Sequence, residues 1–118
     1  MDRKKELKQQ YKQMKHPMGV FIVRSKASNK CFLEASNNFR AGFNKTLLQL
    51  SANMHPNREL QKEWNELGKE NFSFEILEEL EYDKDESKTD YSEDLAILHM
   101  MWEEKLRAQG MEFYRKKL

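Results

Sequence analysis

His16, His55 and His99, the single Cys31, and the carboxylates Glu34, Glu103 and Glu104 are the side chains in this chain whose types suit catalysis or metal binding. Their spacing argues for little. The three histidines lie far apart in sequence, with none of the short intervals that bring imidazoles onto one metal ion. His99 follows Leu95 and precedes Trp102 on one helical face, the setting of a hydrogen-bonded core histidine. Its alternative role is as ligand to a softer cation such as zinc or manganese, with Glu34, Glu103 or Glu104 as displaced co-ligands. Glu103 and Glu104 read as solvent-facing. His55 precedes Pro56 and suits turn chemistry, and Cys31, beside Phe32 in a strand, suits a small buried residue rather than an activated thiolate. No nucleophile, base and orienting group share a pattern, and no phosphate-binding loop or dinucleotide fingerprint is present.

Charge is the second signal. The net value is only +1, yet residues 1–16 hold six Lys and Arg against two acids, residues 105–118 five against one, and residues 75–94 ten acids against two lysines. Both ends are basic and one internal stretch is acidic. A basic face that tracks a phosphate backbone is the functional reading, and solvated surface is the plain one.

These side chains need elements to hold them. At 118 residues the chain is one domain, and seven Phe with two Trp supply the anchors of a core. One cysteine excludes an internal disulfide, no apolar run approaches the ~18 residues of a membrane span, and the first residues lack the apolar centre of a signal peptide. A cytoplasmic protein without a membrane segment is the expectation. Residues 2–15 carry Leu7, Tyr11 and Met14 at helical spacing and predict a basic N-terminal helix within residues 1–17. Residues 18–36 predict a β-hairpin with its turn over 25–30, and the rest is read as packing onto it. Asn38 offers an N-cap to a helix carrying Phe39, Phe43, Leu47 and Leu50. A second helix starts at Pro56 and Asn57, buries Leu60, Trp64 and Leu67 and ends at Gly68. Residues 72–77 alternate as a third strand, 78–90 form an acidic exposed loop, and a last helix begins near Asp90 with Glu93 completing a capping box.

Gly19-Val20-Phe21, Phe32-Leu33-Glu34, the segment Leu60 to Gly68 ending Asn-x-x-Gly, and the strand Phe-x-Phe-x-Ile-Leu-Glu-Glu at 72–79 together resemble the GIY-YIG endonuclease domain over residues 18–118. The resemblance implies an α/β (α+β) fold with a small three-stranded antiparallel sheet flanked by helices, cutting phosphodiesters with one divalent cation, Mg or Mn. It also implies where the active-site cleft lies. At the family's catalytic positions this chain has Phe21 and Phe32 in place of tyrosines, Glu34 in place of a glycine, Gly42 in place of an arginine, Thr46 where a histidine often stands, His99 in place of the metal-binding glutamate and Arg115 in place of an asparagine. Gly19 is retained.

The expectation is therefore a GIY-YIG-like domain with its catalytic positions largely replaced, serving as a non-catalytic nucleic-acid-binding module. Arg40, Lys45, Lys62 and Arg115 would contact phosphates of DNA. Two alternatives stand beside it: an active, divergent metal-dependent endonuclease using His99 and Glu34, and a protein-interaction module whose cleft is lined by Phe21 and Phe32.

Overall fold

The computed structural model describes residues 16–114. The N-terminal helix expected over 2–15, and Arg115, lie outside the described residues.

The unbroken apolar run at 19–23 becomes β1 (Met18–Ser25), buried along nearly its whole length. A strand that is apolar at both parities must be covered on both faces, and β1 is. It lies between β2 (Lys30–Ser36) and β3 (Phe72–Leu80), antiparallel to each. On one face α1 (Phe39–Ser51) and α2 (Arg58–Leu67) bring Phe39, Leu50, Leu60 and Trp64 onto Phe21 and Val23. On the other, α3 (Ser92–Ala108) brings Leu98 and Leu106 onto Val20 and Ile22. Each such side chain, fully removed from water, contributes about 1.5–3 kcal/mol.

The sheet has four strands, not the expected three. β4 (Glu112–Phe113) pairs parallel to β2, Lys30 opposite Glu112 and Cys31 opposite Phe113, so the order is β3-β1-β2-β4 and the sheet is mixed. Two residues are too few to show a period, and the sequence reading leaves them as tail. β3 also runs to Leu80, three residues into the stretch expected as loop, because Met18, Gly19 and Val20 still pair with Leu80, Glu79 and Glu78. The remaining acidic connection, 81–91, is exposed but anchored: buried Tyr91 accepts a hydrogen bond at its phenol oxygen from the Asp83 amide at 2.9 Å, and Lys88 pairs with Asp94 at 2.7 Å.

Asn38 and Asn57 cap α1 and α2 as expected, each accepting from the amide three residues on. The capping box at α3 does not form. Asp90 instead accepts from the Ser92 amide and hydroxyl, and the cap position is Tyr91 with no side-chain bond. Two glycines are fixed by close approach. A Cβ on Gly19, at φ +152°, would sit 2.0 Å from the Glu78 carbonyl oxygen, and one on Gly42 would meet Ser36 Oγ at 2.8 Å and the Phe21 ring at 3.1 Å. Gly42 costs α1 about 1 kcal/mol of intrinsic propensity and lets the helix lie against the hairpin. Among the described residues no helix is long and apolar enough to cross a membrane.

Candidate functional site

β4 covers the outer edge of β2 only at Lys30 and Cys31, and no other described strand covers Phe32 to Ser36. The side chain of His99, on α3, closes part of this edge, with Nε2 3.1 Å from the Leu33 carbonyl oxygen. Donating that proton fixes the ring as the Nε2–H tautomer. Nδ1 lies 3.8 Å from Glu103 Oε2, beyond hydrogen-bond distance.

Two cavities flank this closure, of about 800 Å3 and about 660 Å3, and Glu34, Lys45 and His99 border both. The larger lies between α1, the end of β2 and the 81–91 connection, with Met18 and Tyr82 at one end. The smaller lies between β2, the His55 loop and the second half of α3, walled by Phe32, His55, Phe113 and Tyr114. Lys45 is exposed and has no ion-pair or hydrogen-bond partner among the described residues. Arg107 lies over the Phe113 ring at 5.3 Å and is held by Glu103 at 2.8 Å.

Each expected site residue has a definite place. Phe32, Glu34, Lys45 and His99 are brought together at the two cavities. Thr46 is buried behind Glu34: its hydroxyl donates its one proton to the Gly42 carbonyl at 2.9 Å, leaving a weak 3.4 Å contact to Glu34 Oε2. Phe21 and Gly19 border neither cavity, against the expectation that Phe21 lines the cleft. Phe21 is fully buried and edge-on to Phe43 with centroids 4.7 Å apart, because its parity on β1 points it under α1. Arg40 and Lys62 are exposed and border neither cavity, and Lys62 faces Glu66 at 4.0 Å.

His55 is more than a turn residue. It is buried, its Nδ1 accepts from the Asn57 amide at 3.0 Å, and its ring stands edge-on to Phe32. Burial pushes its pKa below the ordinary histidine value, so it is neutral with its remaining proton on Nε2. Arg107, Gln49 and Phe113 are site residues that the sequence reading missed. For Arg107 a signal existed, since His99, Glu103 and Arg107 recur at four-residue intervals along one stripe of a helix.

No family model matches the chain, and no curated protein matches it. Solved structures do. The catalytic domain of the homing endonuclease I-TevI superposes with a TM-score of 0.65 at 21% identity, covering 82% of this chain and 95% of that one. A glutamate-to-alanine mutant of the same catalytic domain gives 0.65 at 19% identity, over 86% and 97%. The fold is GIY-YIG-like. Likeness at this identity carries the architecture alone, and the chemistry rests on this chain's own side chains.

The described side chains are not gathered into a cluster for the divalent cation that a GIY-YIG-like fold implies. Among the described residues no three His, Cys, Asp or Glu side chains converge to hold a metal ion. The carboxylates bordering the cavities, Glu34 on both, Asp90 on the larger and Glu103 on the smaller, stand apart rather than as one cluster, and His99 has given one nitrogen to Leu33. Two other groups on the smaller cavity are poor bases. Burial raises the Tyr114 phenol above its ordinary range and pushes the Cys31 thiol up to about 11, so both keep their protons at neutral pH.

Proposed function

We propose that this GIY-YIG-like domain is a non-catalytic module that binds nucleic acid, with the two cavities along the open edge of β2 as the contact surface. One observation carries the reading. The described residues hold 12 Lys and Arg against 18 Asp and Glu, so the basic charge of the chain resides in residues 1–15 and 115–118. The described chain runs from His16 to Tyr114. His16, whose carbonyl accepts from Tyr82 at 2.6 Å, adjoins the larger cavity, and Tyr114 walls the smaller. Lys45, without a partner among the described residues, stands between them on the border of both. A basic charge concentrated outside the acidic described part, together with Lys45 at the cavities, suits contact with a phosphate backbone. Arg115 belongs to the second basic end, while Arg40 and Lys62 act as outlying contacts.

Gel analysis of labelled linear and branched DNA, with magnesium and manganese in parallel, tests both halves. Shifted, uncut DNA whose affinity falls steeply with salt is the expected result. Metal-dependent cleavage that disappears in His99→Ala would replace this reading with the divergent endonuclease. Absence of any shift would remove nucleic acid and turn the search to protein partners.

A further inference from the structure

Resting on the nucleic-acid reading above, we propose that the cavity of about 660 Å3 receives a single unpaired nucleotide, with its base inside and its phosphate at the Lys45 rim. The volume lies within the about 300–1,000 Å3 typical of small-ligand sites. Three observations define the occupant. The walls are aromatic: Phe32 and the His55 ring stand edge-on at 5.0 Å, and Phe113 of β4 also lines the cavity. Within the lining, Gln49 has a side-chain amide with no hydrogen-bond partner among the described residues, whereas the Asn57 amide is already spent on Leu60 and Tyr114. The rim carries the unpaired Lys45 ammonium, and Arg107, bound to Glu103 by one nitrogen, keeps further donors.

An aromatic wall, one uncommitted amide and a rim cation match the three parts of a nucleotide. Rings take the flat face of a base, the amide pairs a donor and an acceptor with its edge, and the cation meets the phosphate. Inside a duplex both the face and the edge of a base are engaged, so only an unstacked nucleotide presents them. A single strand, a frayed or branched end, or a free mononucleotide supplies that chemistry.

Fluorescence anisotropy on the full chain tests it, with a short single-stranded DNA carrying 2-aminopurine, a blunt duplex of the same sequence, and AMP as competitor. Wild type is expected to bind the single strand more tightly than the duplex and to change the 2-aminopurine emission. Phe32→Leu and Gln49→Ala are expected to weaken the single strand about tenfold, the scale of one stacked base, while duplex affinity stays as it was. The Gln49 side chain has no hydrogen-bond partner among the described residues to lose, so its variant keeps the test valid if Phe32→Leu fails to fold. Displacement by AMP assigns the site to free mononucleotides, and failure of AMP to compete assigns it to strands. Unchanged single-strand affinity in both variants, or silent 2-aminopurine, overturns the nucleotide pocket. If Lys45→Glu still weakens both DNAs in that case, the nucleic-acid reading survives alone. Loss of neither in Lys45→Glu overturns that reading as well.

Discussion

Nε2 of His99 lies 3.1 Å from the carbonyl oxygen of Leu33, so a side chain of α3 closes a backbone group on the outer edge of β2 that β4 does not reach. The same bond explains why the histidine stands where it does and why it offers one lone pair only. Replacing His99 with Ala removes one hydrogen bond to the Leu33 carbonyl. Stability is expected to fall by about 0.5–1.5 kcal/mol, read as a shift in urea midpoint. Nitrogen NMR of the ring is expected to show the Nε2–H tautomer. A ring protonated on Nδ1 would contradict the assignment.

His55 makes stability depend on pH with a definite sign. Its folded value is depressed by burial, so below about pH 6.5 the unfolded chain takes up a proton that the folded chain refuses. Its contribution is therefore fully present above that value and is lost as pH falls below it, until the depressed folded value is reached. Urea midpoints measured between about pH 7.5 and 5 are expected to drop for the wild type and to flatten in His55→Gln. A parallel drop in both proteins would move the effect to other groups.

Cys31 is fully buried, and burial pushes its thiol up to about 11. Native protein at mildly alkaline pH is expected to resist iodoacetamide, with full labelling only in denaturant. Rapid labelling of the folded chain, followed by mass spectrometry, would show that the strand opens.

Gly42 and Gly19 differ in what they tolerate. At Gly42 an added methyl gains about 1 kcal/mol of helix propensity and meets Ser36 Oγ at 2.8 Å, a hydroxyl tied to Asn38. Overpacking of about 1–3 kcal/mol exceeds the gain, so Gly42→Ala is expected to destabilise by about 1 kcal/mol. At Gly19 the obstacle is the Glu78 backbone at 2.0 Å together with a φ of +152°. Gly19→Ala is expected to cost about 4 kcal/mol or more, visible as failure to fold or a large fall in melting temperature.

Lys45 lies on the border of both cavities and Lys62 outside them. Reversing Lys45 to Glu is expected to weaken DNA binding and lower the salt slope by about one, while Lys62→Glu changes either far less. Equal effects would spread the interface over α2.

The sequence by itself determined three of the four strands and the three helices of the described residues. The run 19–23 is apolar at both parities and so demands cover on two faces, Asn38 and Asn57 place two helix starts, and Gly68 places a helix end. Tertiary structure alone decided three things. Phe113 joins the sheet because β2 offers an unpaired edge beside it, a fact no two-residue pattern carries. Phe21 leaves the cleft because strand parity turns it under α1, where Gly42 makes room. Arg107, Gln49 and Phe32 meet at one cavity although 32, 49 and 107 share no local period. Periodicity records which face of an element is buried, since burial is local and repeats along it. It holds no record of which elements lie side by side, and a site made where three of them meet exists only once they have packed.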